Sequence, residues 1–280
     1  FGMNSIFGRI NLKNELNSKL FNNGLDSLVW FEKVQIQKKT NQQWGFGEVL
    51  FFPSQKTEAF QYEEFVVLAD CRIDNRKEII DKLRIADKNT ADELLILELF
   101  KKWGKECPVH LLGDFVFAIW NNSTKELFCA RDHFGAKPLF YSFNGEDFIF
   151  SSEINAIMSQ SDLDFSIDEQ YIADTLSIIK SEENRTTYNE IKKLPPAHTL
   201  LFKMQAPEIK PYWELTPQKQ LTGNDSEILN QFKEILFKSV KCRIPPNLKT
   251  GAELSGGLDS SSIAAIASRY TKLSTFSHIL

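Results

Sequence analysis

From residue 254 to residue 261 the chain reads Leu254-Ser255-Gly256-Gly257-Leu258-Asp259-Ser260-Ser261. Adjacent glycines let a backbone come close to a bulky anion and adopt angles that other residues avoid. A helix that starts just after them points unpaired N–H groups and its positive dipole end at the same place. Ser255, Ser260 and Ser261 add hydroxyl donors. Asp259 is a carboxylate beside a would-be polyphosphate, where bare charge repulsion makes no sense. A bridging Mg²⁺ resolves the conflict, because it takes carboxylate and phosphate oxygens together. The loop lacks the Lys and spacing of a Walker sequence and the spacing of a dinucleotide fingerprint. Taken alone, a Ser-Gly-Gly could also be a capped turn at a helix start.

The elements that would hold this loop follow from the local pattern. Thr250 to Leu254 reads as a short strand, Ser255 to Asp259 as a tight loop, Ser260 to Tyr270 as a helix and Leu273 to Leu280 as a second strand. That is a β-loop-α-β unit, the opening of a parallel nucleotide-binding sheet. Ahead of it Ile228, Leu229, Phe232, Ile235, Leu236 and Val240 share one helical face. A parallel sheet needs both faces covered, so either the chain continues past Leu280 or its last segment leans on something else. The polar stretch 216–225 reads as a linker.

Residues 3–215 read differently, as many short strands with a few helices. Phe65-Val66-Val67-Leu68-Ala69 is a continuous apolar run, expected to be a strand buried on both faces. Phe115 to Trp120, the turn residues Asn121 to Thr124 and Leu127 to Ala130 form one hairpin pattern. Pro138 to Tyr141, Asn144-Gly145 and Phe148 to Phe150 form another. One helix is expected to begin at Thr90, with Glu93 completing a capping box, and to stop at Gly104. A second is expected over Ile167 to Ser177. The mixture predicts packed sheets covered by helices.

Composition narrows the function classes. The 280 residues are 42% hydrophobic and 25% charged, as a packed domain requires. A net charge of −4 gives no broad nucleic-acid surface, and Lys192, Lys193 and Arg185 are too few to supply one. No apolar run is long enough for a membrane span. The start, Phe1-Gly2-Met3, shows no secretory pattern, and Met3 could be the natural first residue. Cys71, Cys107, Cys129 and Cys242 are scattered, as expected of reduced thiols in a cytoplasmic protein. His110, His133, His198 and His278 have no metal-ligand spacing, which argues against zinc.

At the glycine loop the sequence resembles the ATP pyrophosphatase family, whose members split ATP between the α and β phosphates to adenylate a carboxylate. Upstream it resembles glutamine-dependent asparagine synthetases. The resemblance rests on Gly113 to Trp120, similar to their central strand, and on Ala130-Arg131-Asp132-His133-Phe134-Gly135-Ala136-Lys137-Pro138-Leu139-Phe140-Tyr141. Phe150 to Ile154 and Leu194-Pro195-Pro196-Ala197-His198 also match, although the family usually has Gly at the Ala197 position. These motifs run in the right order over most of the chain. They imply an α+β fold: an N-terminal αββα sandwich of the N-terminal-nucleophile, glutaminase-like type, followed by the start of an α/β ATP pyrophosphatase domain in 226–280. The resemblance also implies that the synthetase domain is longer than this segment.

In the active family a Cys follows the initiator Met and attacks the glutamine amide. Here Asn4 stands at that place, and an amide is not such a nucleophile; Ser5 is one residue off, with no base to name. The family's oxyanion hole uses an Asn-Gly pair, where this chain has Asp70-Cys71-Arg72-Ile73-Asp74-Asn75. Asp70 would put negative charge where negative charge develops. Ala91 stands where the glutamine-holding carboxylate is expected. The resemblance therefore implies an inactive glutaminase and no catalytic residue in the first domain. Asp70, Arg72 and Asp74 also fit a charged turn after a buried strand. Arg131, Asp132 and Lys137 also fit an internal ion pair that holds the hairpin.

Two function classes follow. The first is ATP-dependent amide-bond formation without glutamine, as in β-lactam synthetases and lasso-peptide cyclases. Small-molecule or peptide carboxylates and amines would be the substrates. Ser255, Gly256, Gly257 and Ser260 would cradle the pyrophosphate end of ATP, Ser261 would add a donor, Asp259 would hold Mg²⁺ and Leu254 would border the nucleotide. The second is a binding or scaffold module with a vestigial nucleotide loop. Asparagine synthesis from free ammonia is a third possibility that the sequence does not separate from the first.

Overall fold

The computed structural model describes residues 4–32, 34–51, 61–179, 182–217, 223–245 and 248–278. Met3, the middle of the linker at 216–225 and the final residues of the last expected strand lie outside the described residues. The chain divides into two compact units, Phe1–Glu214 and Leu215–Leu280.

The first unit holds two six-stranded sheets. Its elements in order are β1 (Asn4–Asn11), α1 (Ser18–Asp26), β2 (Gln35–Thr40), β3 (Trp44–Leu50), β4 (Gln61–Tyr62), β5 (Phe65–Ile73), α2 (Arg76–Leu83) and α3 (Asp92–Trp103). A 3-10 helix (Gly104–His110) then leads into β6 (Gly113–Asn121), β7 (Glu126–Arg131), β8 (Phe140–Phe143) and β9 (Asp147–Ser151). After them come α4 (Ile154–Met158), α5 (Glu169–Leu176), β10 (Lys192–Lys193), β11 (His198–Phe202) and β12 (Glu208–Pro211). One sheet runs β10-β8-β9-β1-β3-β2 and the other β12-β11-β7-β6-β5-β4, with every neighbouring pair antiparallel.

Three apolar layers explain why strands in this unit read as unbroken hydrophobic runs. Ile6, Phe46, Val66, Leu68, Val116, Trp120 and Phe150 fill the space between the sheets. Phe65, Val67, Ala69, Phe115, Phe117 and Ile119, the alternate residues of β5 and β6, pack under α2 and α3. Phe7, Phe21, Leu25, Val49 and Ile157 join the first sheet to α1 and α4. A strand buried on both faces has no reason to alternate. The architecture is the αββα sandwich that the sequence predicts, and β6 lies in the interior of its sheet.

Several boundaries move. Thr90 does not cap α3: its hydroxyl donates to the Asp87 carbonyl, and Ala91 is the N-cap, with no side-chain acceptor. Asp92 and Glu93 in the first turn complement the dipole instead. The second expected helix is shorter, Glu169–Leu176, because Asp168 caps it by accepting from the Tyr171 N–H.

The second unit contains α6 (Asp225–Lys241), β13 (Thr250–Glu253), α7 (Leu258–Ala267) and β14 (Leu273–Phe276). β13 and β14 pair in parallel, Thr250 opposite Leu273 and Glu253 opposite Phe276. The predicted helical face of α6 is only partly used. Val240 is buried with Ile266 and Ala267, whereas Leu229, Phe232 and Ile235 are more than half exposed, because one short helix and two strands cannot cover so broad a face.

Candidate functional site

Asn4 opens β1, and its side-chain amide donates to the Ala69 carbonyl at 3.1 Å. Its backbone N–H donates to Asp70 Oδ1 at 3.3 Å, while Asp70 Oδ2 pairs with Lys137 Nζ at 2.8 Å. The two positions singled out as departures from a glutaminase, Asn4 and Asp70, are thus brought together. They do not form a catalytic pair. Neither an amide nor a buried carboxylate held by lysine offers a nucleophile with a base.

Residues that sequence reasoning missed surround them. Glu48 on β3 is 1% exposed and accepts from the Ala69 N–H at 2.7 Å. Burial, reinforced by Glu93, pushes its carboxyl well above the usual range. Burial also raises Asp70, against the opposing pull of Lys137. Cys71 faces Asp92, Sγ to Oδ2 3.9 Å, and burial together with the neighbouring carboxylates pushes its thiol well up, away from a reactive thiolate. Arg76 binds Asp92 and the Thr90 carbonyl. A carboxylate therefore does stand at the head of α3, one residue after Ala91, but it is engaged by arginine. The available signal for Glu48 was a single acid inside the apolar run Trp44 to Phe51.

The matching hairpin segment is structural in a different way from the one expected. Among the described residues Arg131 forms no salt bridge with Asp132, although that carboxylate acts on it electrostatically. It donates through Nε to the Lys137 carbonyl, through one Nη to Leu194 and through the other to Gly135, each at 2.6 Å. Asp132 accepts three backbone N–H groups, from Phe134, Ala136 and Lys137. Lys137 is left to reach Asp70. Gly135 has φ +68°, and a Cβ there would lie 2.8 Å from the guanidinium, so any other residue would strain the turn or displace Arg131. Ala197 has φ +57°, which explains in backbone terms why glycine suits that position. Arg72 pairs with Asp74 and Asp114, as a charged turn after a strand should.

In the second unit the glycine loop joins β13 to α7. Gly256 takes φ +84°, with open space where a Cβ would be. Gly257 is the N-cap of α7 and offers no side-chain acceptor, so the first-turn N–H groups lack a side-chain partner there. The helix starts two residues earlier than predicted, at Leu258, which moves Asp259 from the loop onto the first turn beside Ser260 and Ser261. Ser255 and Ser260 hydroxyls lie 3.0 Å apart, and Ser260 Oγ also donates to the Gly257 carbonyl. The Leu254 N–H is taken by Phe276 O at 2.8 Å. Asp259 is exposed and makes no ion pair among the described residues. The donors and the open cradle fit a phosphate chain. Among the described residues no group of three or more side chains could hold a metal ion, so Asp259 offers one carboxylate and any divalent ion there would need phosphate oxygens for its other contacts.

An αββα sandwich followed by a short parallel β-α-β unit defines a class: an N-terminal-nucleophile amidotransferase fold with the beginning of a second, parallel-sheet unit. A family model described as glutamine amidotransferase domain matches residues 58–213, and one described as asparagine synthase matches residues 231–279. The chain belongs to the glutamine amidotransferase family, within the asparagine synthetase superfamily. It is 30% identical over 212 residues to asparagine synthetase [glutamine-hydrolyzing] 3 of Bacillus subtilis, covering 74% of this chain and 34% of that protein. It is also 30% identical over 223 residues to putative asparagine synthetase [glutamine-hydrolyzing] 2 of Methanocaldococcus jannaschii, covering 76% and 43%. The chain thus spans between a third and a half of the length of these relatives. Glutamine phosphoribosylpyrophosphate amidotransferase from B. subtilis, solved with ADP and GMP, shares the fold: TM-score 0.51, 14% identity, 97% of this chain and 65% of that one. No helix among the described residues is long and apolar enough to cross a membrane.

Proposed function

We propose that this protein takes part in ATP-dependent amide-bond formation through an adenylated carboxylate, without hydrolysing glutamine. The observation that carries the reading is the loop Ser255–Ser261, which joins paired parallel strands through a helix whose N-terminus has no side-chain cap. ATP-dependent amide ligation is the work of the superfamily; the absence of glutamine hydrolysis is our own inference from Asn4 and Asp70.

The chain's residues would divide the work as follows. Gly256 and Gly257 let the backbone approach the phosphates. Ser255, Ser260 and Ser261 donate to their oxygens, and Leu254 borders the nucleotide. Asp259 would hold Mg²⁺ against the same phosphates, and the ion would neutralise charge on the departing pyrophosphate. We assign residues 3–215 to the amidotransferase-like domain, 216–225 to the linker and 226–280 to the beginning of the synthetase-type domain. The partners are a small-molecule or peptide carboxylate and an amine, with no role for nucleic acid or membrane. Buried, unpaired thiols at Cys107 and Cys129 support a cytoplasmic setting.

The test measures pyrophosphate release and glutamate formation by the full-length protein with ATP, Mg²⁺ and panels of carboxylates and amines. Pyrophosphate formed with an amine or ammonia, without glutamate from added glutamine, is the expected result. Glutamate formation would sink the claim of a silent glutaminase. Nucleotide binding with no turnover for any acceptor pair would favour the scaffold reading.

A further inference from the structure

The carboxyl groups around Asn4 outnumber the cations that neutralise them. Glu48 on β3, Asp70 on β5, and Asp92 and Glu93 on α3 act on one another or on the shared neighbour Cys71. Lys137 is committed to Asp70, and Arg76, from α2, to Asp92. Arg76 also acts on Glu93, whereas no cation is set against Glu48 among the described residues.

Among the described residues, the surroundings of Glu48 come from the elements packed on it. β5 supplies the Ala69 N–H, Asp70 and Cys71. α3 supplies Glu93 and, one residue away, Asp92. Across the sheet, β1 sets Ile6 opposite Glu48 and β2 sets Gln37, neither of them charged. α1 packs on the other face of β3, through Val49. The Glu48 side chain therefore points between the sheets and crosses to β5 to reach the Ala69 N–H. At 1% exposure, an ionised carboxylate there would have one hydrogen bond from a backbone N–H and acids for neighbours, an arrangement that favours the neutral acid.

We propose that Glu48 is a proton-held latch between the two sheets: as a neutral acid it closes the contact between β3 and β5, and its ionisation opens that contact. Burial, and then Glu93, hold its carboxyl well above the usual range. A group raised in the folded state contributes its full stabilisation below its unfolded value and loses it as pH climbs through the folded one. The latch is therefore shut in acid and loosens toward alkaline pH, the reverse of an ordinary salt-bridged carboxylate.

Thermal melting of the 280-residue chain and of Glu48→Gln, from about pH 5 to about pH 9, tests this directly. Glutamine keeps the shape and the acceptor for Ala69 but cannot ionise. The parent should lose stability along the alkaline arm while the variant loses less. The variant should melt roughly 3–5 °C above the parent at the alkaline end and level with it at the acid end. Parallel curves, or a variant less stable throughout, would overturn the proposal. Should Glu48→Gln not fold, isotope-edited infrared spectra of the parent with labelled glutamate decide. A carboxylic-acid carbonyl band at neutral pH that fades on further alkalinisation supports the latch, and its absence refutes it.

Discussion

Lys137 contributes more to the sandwich than a partly exposed lysine ordinarily does, because its partner is buried. Asp70 is 5% exposed, and burial holds its carboxyl above the ordinary range even with the ammonium 2.8 Å away. Removing the cation leaves a buried acid with only the Asn4 N–H to oppose its charge. Lys137→Met should cost about 3 kcal/mol at pH 8. The sign with pH follows from the direction of the Asp70 shift. The variant raises that carboxyl further, so its deficit opens as pH rises and shrinks near pH 4, where a neutral Asp70 needs no partner. Urea unfolding at the two pH values measures the difference. An equal deficit at both would mean that Lys137 acts by packing alone. The same pair bears on the proposed loss of glutamine hydrolysis. Asn4→Cys would restore a thiol but leave Asp70 and Lys137 where an oxyanion would form, so glutamate release from glutamine should stay at the parent's level.

At the scale of elements, what the sequence reveals depends on how local the cause is. The turn Asn144-Gly145 and the uninterrupted runs of β5 and β6 report their own environment, and they are legible from residue types alone. So is the β13–loop–α7 unit, because glycine pairs and helix starts are short-range features. The N-terminus of α3 was misread because Thr90 bonds back to Asp87 and not forward into the helix, a choice that nothing in the spacing records. Glu48 and the Lys137–Asp70 pair are long-range: β3, β5 and the loop after β7 meet only in the folded sheets. Reading Arg131 and Asp132 as an ion pair failed for a related reason. Each instead finds backbone groups of the same turn, and Arg131 also reaches the Leu194 carbonyl. The glycine loop allows a sharp test at this scale. Gly256→Ala forces a Cβ into φ +84°, a cost of about 1–2 kcal/mol. Since open space surrounds that position, the damage should stay local. Binding of a non-hydrolysable ATP analogue should weaken about tenfold or more with little change in the melting of the first unit. Unchanged affinity would remove the loop from the nucleotide site.

At the scale of the whole molecule the two units differ in how much holds them. The strands β5, β6 and β7 are each paired on both sides and sit in aromatic-rich layers, with Phe115, Phe117 and Trp120 essentially inaccessible. Among the described residues the second unit buries little beyond Val240, Ala264, Ile266 and Ala267, and its sheet consists of β13 and β14. Leu229, Phe232 and Ile235 remain 64%, 61% and 65% exposed. Local stability follows burial and pairing, and two strands under one helix layer are near the lower limit of independent order. Amide hydrogen exchange of the 280-residue chain should therefore show protection in β5–β7 exceeding that in β13 and β14 by at least about a thousandfold. Adding Mg²⁺ with an ATP analogue should narrow that gap, because a ligand that binds only the ordered loop draws the unit toward its folded state. Narrowing confined to residues 254–267 would tie the ordering to the phosphate loop itself. Equal protection in both units without ligand would mean that α6 and α7 cover the small sheet more effectively than their exposed apolar residues imply.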